Sequence, residues 1–184
     1  MTLFLIATLI LLVAAVWAVV TYNRLVRDRN RVAQSWSDVD VQLRRRHDLV
    51  PRLVEVVKGY AGYERALLES VTQLRSLGTT LRSPSELTPV ESQLAGGLQQ
   101  LIAIAEAYPD LKASQNFLAL QSELAGTENQ IQFARRYYNG AVNLYNTQIE
   151  RFPNLLIARS FAFRPADFFD RDGQEQAVAP EVRI

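Results

Sequence analysis

The stretch that decides the fold is residues 36–61, WSDVDVQLRRRHDLVPRLVEVVKGYA, in which a proline interrupts an otherwise helical pattern. Its apolar residues recur at alternating steps of three and four, the spacing of a helix that is buried along one stripe. The stripe keeps its phase on both sides of Pro51. Because the same spacing begins at Leu25 and continues to Leu81, the sequence predicts an all-α fold built on a long first helix.

Pro51 allows two interpretations of this helix. Proline costs about 3 kcal/mol in a helix interior, because it lacks the N–H group and its ring meets the carbonyl four residues back. That carbonyl belongs to His47. Either one helix kinks near His47–Pro51, or one helix ends and Asp48 caps a second helix with Pro51 in its first turn. The unbroken phase of the stripe favours the kinked, continuous helix.

The polar segment Ser83–Pro89 contains two prolines and predicts the end of this first element. Thr88-Pro89-Val90-Glu91 then combines a threonine N-cap, a proline at the first helical position and a glutamate at the third. This pattern predicts a second helix that runs to about Ala107. Gly96-Gly97 either weakens this helix or permits the close approach of a neighbouring helix.

A third helix is predicted after Tyr108-Pro109-Asp110. Its apolar seam extends from Phe117 to Phe152 over about five heptads, with Thr127 and Gln148 as polar exceptions. We expect this seam to be intramolecular core, with contact to a partner as the alternative. The chain after Pro153 is rich in leucine and phenylalanine up to Phe169, and we expect it to pack on the bundle or to reach a membrane surface.

The N-terminal run Leu3–Val20 contains no charged residue. Its length of roughly 27 Å matches the hydrocarbon thickness of a bilayer. A cleaved signal peptide is disfavoured, because no basic residue precedes the run and no small-x-small site follows it. The run therefore predicts an uncleaved single-pass anchor. The excess of arginine in residues 24–31 predicts, by the positive-inside bias, that the C-terminal domain is cytoplasmic.

The charge is balanced overall and uneven along the chain. The net charge of +1 gives no general attraction to nucleic acid. Residues 24–82 contain 12 basic and 7 acidic side chains, whereas residues 83–150 contain 3 and 7. Opposite charges in one chain commonly complement each other across a fold, so Glu123 and Glu128 are predicted partners for arginines of the first helix. The absence of cysteine excludes disulfides and thiolate chemistry.

The charged groups of the opening stretch are too dispersed for one reaction centre. Asp38 and Asp48 lie about 15 Å apart along a helix, and Asp40 and His47 about 10 Å apart. We therefore expect no catalytic residue, no metal and no cofactor. The pairs Asp40–Arg44, Asp38–Gln42 and Gln42–Arg45 or Gln42–Arg46 fit a polar ladder that sets helix register, and such pairs contribute about 0.2–0.5 kcal/mol each. His47 is expected to face solvent or to form a hydrogen bond.

The chain resembles the LemA family of bacterial membrane proteins. The resemblance is carried by Trp36–Leu43, Asp48–Pro51, Lys58–Ala61, Ala105–Ala113, Thr127–Asn129, Ala134–Arg136, Tyr138-Asn139, Tyr145-Asn146 and Phe152-Pro153. It covers nearly the whole chain after the anchor. It implies a single N-terminal membrane helix followed by long antiparallel helices, and it implies no known reaction. Relatives in magnetosome membranes suggest a role in membrane organisation.

We therefore predict an N-terminal transmembrane helix (1–22), an elongated antiparallel helical bundle (23–169) and a polar C-terminal tail (170–184). The predicted function is a non-enzymatic scaffold or interaction module in the bacterial cytoplasmic membrane. It self-associates or binds an unidentified protein, and it does not bind nucleic acid. The alternative is an accessory subunit of a membrane enzyme such as a protease. The candidate interaction or register residues are Trp36, Asp38, Asp40, Gln42, Arg45, Arg46, Asp48, Pro51, Glu128, Asn129, Arg135 and Arg136.

Overall fold

The computed structural model describes residues 1–59 and 65–169. These residues form six helices and no strand, as the all-α prediction requires. The helices are α1 (Thr2–Lys58), α2 (Arg65–Thr80), α3 (Pro84–Glu106), α4 (Pro109–Lys112), α5 (Gln115–Glu150) and α6 (Asn154–Ser160). The predicted polar tail and the end of the opening stretch, residues 60–61, lie outside the described residues.

Helix α1 continues through Pro51, so the continuous helix is confirmed and the helix start at Asp48 is wrong. Pro51 is exposed on the helix surface. The carbonyl that this proline deprives of its helical partner belongs to His47, and Arg75 on α2 donates a hydrogen bond from Nε to that oxygen over 3.1 Å. Because the freed acceptor is satisfied by another helix, the helix tolerates proline at this position.

The prediction that the first helix extends to Leu81 is wrong, because α1 ends at Lys58. Helix α2 runs antiparallel to the end of α1. Its first residue, Arg65, lines the same surface cavity as Lys58, and Arg75 reaches back to His47. Gly59 directly follows the last helical residue, and a glycine costs about 1 kcal/mol in a helix. The spacing of apolar residues does not indicate this reversal of chain direction, because the spacing continues in α2 with the same phase as in α1.

Helix α3 begins at Pro84, five residues before the predicted start. Ser83 is the N-cap residue and Pro84 occupies the first turn, so the helix uses the earlier of two serine or threonine–proline signals. Gly97 accounts for the close approach of α2 to α3, because a Cβ atom at this position would lie 2.8 Å from Cγ2 of Val71. The expectation of a close neighbour therefore holds at Gly97, whereas a Cβ atom at Gly96 would meet nothing within 4 Å.

The seam of the third predicted helix is core, as expected. Helix α5 buries Phe117, Leu124, Ile131 and Tyr145, together with both polar exceptions, Thr127 and Gln148. Phe152 is the exception at the C-terminal end. It follows α5 and is 74% exposed.

Backbone packing divides the chain into two compact units. Of the described residues, the first comprises Met1–Ser37 and Tyr137–Asp167, and the second comprises those between Asp38 and Arg136 together with Phe168 and Phe169. The second unit contains a core of apolar side chains drawn from α1 to α5, among them Leu53, Val71, Leu94, Leu111 and Phe117. Burial of such side chains contributes about 1.5–3 kcal/mol each, which is the main source of the unit's stability.

In the first unit, the C-terminal half of α5 packs antiparallel to the N-terminal part of α1. The rings of Trp36 and Tyr138 lie 5.2 Å apart between centroids. Seven residues earlier on α1 and seven later on α5, Arg29 interacts electrostatically with the hydroxyl of Tyr145. Among the described residues, α1 is the one helix that is long and apolar enough to cross a membrane, and its apolar run is not buried.

The chain after α6 returns along α5 as an extended segment. Tyr145 donates to the carbonyl of Arg164 over 3.0 Å, and Tyr138 donates to that of Asp167 over 2.6 Å. The Asn146 amide binds Ala166 twice, donating to its carbonyl and accepting from its N–H, each over 2.9 Å. Burial, with a smaller effect from the charge of Asp167, raises the pKa of Tyr138 to about 12. The predicted packing on the bundle is therefore found for residues 164–167, whereas Leu156 and Phe161 in the same apolar segment are exposed.

Candidate functional site

A cluster of four charged or titratable side chains joins three helices of the second unit. Arg46 and His47 come from α1, Glu91 from α3 and Glu128 from α5. Arg46, His47 and Glu91 are each less than 5% exposed. We call these four residues the buried ionic cluster. Ionised groups are rarely buried without a partner, so their mutual arrangement decides what they can do.

Glu91 is the centre of the buried ionic cluster. Its Oε1 accepts a hydrogen bond from Nε2 of His47 over 2.7 Å, and its Oε2 accepts one from Nη2 of Arg46. The other terminal nitrogen of Arg46, Nη1, donates to Oε2 of Glu128 over 2.9 Å. The guanidinium therefore bridges α3 and α5, while both oxygens of Glu91 are bound to α1.

The pairing keeps Glu91 ionised. Burial alone would raise the pKa of Glu91. The hydrogen bond from His47 and the positive charge of Arg46 outweigh that effect, so the pKa of Glu91 lies below its ordinary value. Glu91 is 3% exposed and each of its oxygens is bound to a side chain of α1, so the carboxylate is not presented to solvent. Its chemistry is suited to holding α1 against α3.

Gly78 on α2 closes this site from a third side. A Cβ atom at this position would lie 2.7 Å from Oε1 of Glu91 and 3.0 Å from Nε2 of His47. A side chain at position 78 would therefore collide with the Glu91 and His47 atoms that form the hydrogen bond. Next to it, a surface cavity of about 220 Å³ is lined by His47, Gly78, Asp40 and Arg44, among others.

Metal chemistry finds no support in this geometry. Within residues 1–59 and 65–169, no group of three His, Asp or Glu side chains is placed to hold one metal ion. His47 is occupied by Glu91 rather than by the aspartates near it in sequence. The absence of a metal and of a catalytic role remains a prediction for the chain as a whole.

Several predicted site residues form local contacts. The predicted pair Asp40–Arg44 is formed, with 2.6 Å between Oδ2 and Nη2. The predicted bonds from Arg45 or Arg46 to Gln42 are not formed, because Oε1 of Gln42 is buried and accepts no hydrogen bond. Arg46 instead binds Glu128, one of the predicted partners on the third helix, and Arg52 lies 3.9 Å from Glu123.

The remaining candidates do not converge on one site. Trp36 packs against Tyr138, and Arg135 donates to Gln132 over 2.5 Å. Arg136 lies over the ring of the exposed Phe133, 4.8 Å from its centroid. The exposed candidates on the helix surfaces are Asp38, Arg45, Asp48, Pro51, Asn129 and Arg136.

Glu91 is not among the predicted site residues, and His47 is predicted to be either solvent-facing or hydrogen-bonded. The solvent-facing alternative is wrong, since His47 is 4% exposed. A signal for Glu91 is nevertheless present. Leu87, Leu94, Leu98 and Leu101 are buried at alternating steps, and Glu91 occupies the missing position of that series. A single acid in an apolar stripe indicates a buried ion pair, because an unpaired one would be too costly.

Comparison with known proteins agrees with this architecture. A model of the LemA family matches residues 35–184. Protein LemA of Metamycoplasma hominis is 30% identical over 134 residues, which is 71% of this chain and 60% of that protein. The chain thus spans less than two thirds of that relative's length. Two magnetosome proteins of Paramagnetospirillum magneticum, MamQ 1 and MamQ 2, are each 22% identical over 88% of this chain and 70% of their own lengths.

The family match covers the end of α1 and every later helix, including all four residues of the buried ionic cluster. It also extends beyond the last described residue to the C-terminus. A match over this much of the sequence identifies the family independently of the fold. The chain belongs to the LemA family.

Proposed function

We propose that this protein is a single-pass membrane protein whose helical domain is a non-enzymatic interaction module tethered to the membrane. The observation that carries the proposal is the continuity of α1. The helix begins in the apolar run and supplies core residues to each unit, Leu25 and Val32 to the first and Val39 and Leu43 to the second. The anchor is therefore continuous with a core helix of the first unit, and no loop separates the two.

The buried ionic cluster supports a structural role for its charges. Breaking such a cluster leaves a buried charge without a partner. Pairing the helices in another register would break the cluster in the same way. The cluster therefore favours one register of α1, α3 and α5. A scaffold needs this property, because its contact surfaces must keep fixed relative positions.

The proposal also includes the orientation of the protein and the cellular membrane in which it lies. Arg24, Arg27 and Arg31 are exposed directly after the apolar run, and the positive-inside bias places such residues on the cytoplasmic side. The MamQ relatives, which are named as magnetosome proteins, support membrane association. We therefore place the anchor in the bacterial cytoplasmic membrane, with the domain in the cytoplasm. A reporter that works only in the cytoplasm should be active when it is fused after Ile184. Activity of a reporter that works only outside the cytoplasm would overturn this orientation.

Photo-crosslinking in native membranes tests the interaction module. Crosslinking residues would replace the exposed apolar side chains Tyr137 and Leu144 on α5, which are 61% and 41% exposed. Asn143, which is exposed on the same helix, is the matched polar position. We expect specific crosslinked products from the apolar positions and fewer from Asn143, because the core of an interface is more apolar than its rim.

Mass spectrometry of the crosslinked products separates the candidate roles. Crosslinks between copies of this chain support a self-associating scaffold. Repeated capture of one membrane enzyme, such as a protease, supports the alternative of an accessory subunit. A chain that is strictly monomeric and forms no crosslink at any of these positions would contradict the proposal.

A further inference from the structure

The antiparallel pairing in the first unit shows which residue of α1 lies beside the C-terminal end of α5. Trp36 lies beside Tyr138, and seven residues along each helix Arg29 interacts with Tyr145. Another seven residues along α1 lies Tyr22, which is therefore level with the C-terminal end of α5 at Glu150. The ring of Tyr22 also lies 4.8 Å from that of Phe161, between centroids. The segment between α5 and Phe161 therefore begins and ends near the level of Tyr22, two residues after the apolar run ends at Val20.

This segment presents large apolar side chains away from the unit's core. We call residues 151–161 the α6 cap. Ala158 is 2% exposed and marks the side of α6 that packs inward. Two residues correspond to about 200° around a helix, so Leu156 lies on the opposite side, where it is 55% exposed. Phe152 and Phe161, at the two ends of the cap, are 74% and 59% exposed.

The α6 cap is also basic at its surface. Arg151 and Arg159 are exposed, and Arg24 and Arg27 are exposed on α1 just beyond Tyr22. The acidic groups in these stretches are Glu150, which is exposed, and Asp28, which is buried. Exposed arginines therefore outnumber exposed carboxylates at this level. Aromatic and aliphatic side chains next to arginine are typical of surfaces that enter the boundary between lipid headgroups and acyl chains.

We propose that the α6 cap docks on the same bilayer leaflet from which α1 emerges. Phe152, Leu156 and Phe161 enter the boundary between headgroups and acyl chains, and Arg151 and Arg159 bind the phosphates of anionic lipids. The inference rests on the proposed membrane anchor, because the apolar run sets the level of the bilayer. A bilayer fits better than a protein partner, because the contact with Tyr22 holds the cap where the hydrocarbon ends.

Spin labels on the full chain test this docking. The sequence contains no cysteine, so single cysteines can be introduced without altering a native thiol. Labels at Leu156 and Phe152 report on the cap. A label at Asn143, which is exposed on α5 of the same unit, is the matched control. A label at Val13, which is 59% exposed, reports on the anchor. The protein is reconstituted in vesicles of phosphatidylcholine with phosphatidylglycerol, and label accessibility to oxygen and to a water-soluble nickel complex is measured.

We expect labels at Leu156, Phe152 and Val13 to be accessible to oxygen and shielded from nickel, and the label at Asn143 to be accessible to nickel. A cap label as open to nickel as that at Asn143, with Val13 shielded, overturns the docking while the anchor stands. Exposure of Val13 itself overturns the anchor and the docking together. Cap labels shielded in native membranes and open to nickel in vesicles indicate a protein partner, which also overturns the inference.

The anionic part of the inference has its own measurement. The preference of the protein for spin-labelled phosphatidylglycerol over phosphatidylcholine should fall about fivefold for each arginine removed by Arg151→Gln or Arg159→Gln. Arg164→Gln is the matched control, because Arg164 is exposed in the same unit but lies beside Tyr145. An unchanged preference in both cap variants would overturn the role of these arginines.

Discussion

Gly78 and Glu91 are in contact across two helices, and the contact leaves no room for a methyl group. A Cβ atom at Gly78 would lie 2.7 Å from Oε1 of Glu91, where this oxygen accepts the hydrogen bond from His47. We expect Gly78→Ala to lower the free energy of unfolding by about 1–3 kcal/mol, because α2 must move or the hydrogen bond must break. Chemical denaturation in detergent micelles measures this change.

Gly126→Ala is the control for this substitution. A Cβ atom at Gly126 would meet nothing within 4 Å, although the residue is also helical. We expect this variant to be more stable than the wild type by about 0.5–1 kcal/mol, because alanine is the better helix former. Equal effects at Gly78 and Gly126 would show that the close approach to Glu91 is absent in solution.

Arg75 and Pro51 should be energetically coupled. Arg75→Met removes the donor to the carbonyl of His47, and we expect a loss of about 1–3 kcal/mol from the unpaired acceptor. Pro51→Ala restores a helical N–H to that carbonyl, so Arg75→Met should cost less in the Pro51→Ala background. A double-mutant cycle from urea unfolding measures the coupling. Arg65→Met, at an exposed position on α2, is the control, and strict additivity of the two substitutions would refute the coupling.

The ion pair between Arg46 and Glu91 should matter more for specificity than for stability. Arg46→Met leaves Glu91 buried without its main cation, and we expect a loss of about 3–5 kcal/mol. The double variant Arg46→Met/Glu91→Leu removes both charges, so it should be more stable than Arg46→Met alone. Arg44→Met removes an exposed ion pair and should cost only about 0.2–0.5 kcal/mol. Thermal unfolding ranks the variants, and a double variant weaker than the single one would contradict this account.

Stability should fall in acid through Glu91. The folded-state pKa of Glu91 lies below its ordinary value of 4.5, so the unfolded chain binds the proton more tightly. The stabilisation is therefore present above pH 4.5 and is lost as the pH falls through the folded-state pKa. We expect the difference in free energy of unfolding between the wild type and Glu91→Gln to shrink below that pH. A difference that is constant down to strongly acidic pH would exclude this linkage.

Asn146 should hold the returning C-terminal segment on α5. Asn146→Ala removes two hydrogen bonds to Ala166, and we expect a loss of about 1–3 kcal/mol. Hydrogen exchange should become faster at residues 164–167 before it does in the helices. Asn143→Ala, at an exposed position on the same helix, should leave this exchange unchanged. Protection of Ala166 that survives in the Asn146 variant would contradict the role of this amide.

The helical fold could be predicted because the apolar stripes are long and regular. The phase across Pro51 correctly indicated a continuous helix, although the donor from Arg75 could not be foreseen. The same unbroken phase does not indicate that the chain reverses direction after Lys58. The stripe of α2 continues the phase of α1, and periodicity is silent about a change of direction between two helices in phase.

Glu91 misled the prediction of the α3 start. Thr88-Pro89-Val90-Glu91 has the composition of a capped helix start, and Ser83-Pro84-Ser85-Glu86 has the same composition five residues earlier. The helix begins at the earlier signal, and Glu91 binds Arg46 and His47 instead of the helix end. Arg46, Gly78 and Glu91 each interrupt an apolar stripe. Periodicity shows each interruption separately, whereas only the packing of three helices shows that they meet.

The continuity of α1 makes the chain between Val20 and Thr21 sensitive to length. Each residue added there would turn the part of the first unit that follows Val20 by about 100° around the anchor axis and raise it by about 1.5 Å. A single insertion would therefore carry the α6 cap to another azimuth and away from the bilayer, whereas seven inserted residues would nearly restore the direction it faces. The number of residues at this junction thus determines the direction that the α6 cap faces around the anchor axis. We therefore expect substitutions there to be tolerated far better than insertions or deletions.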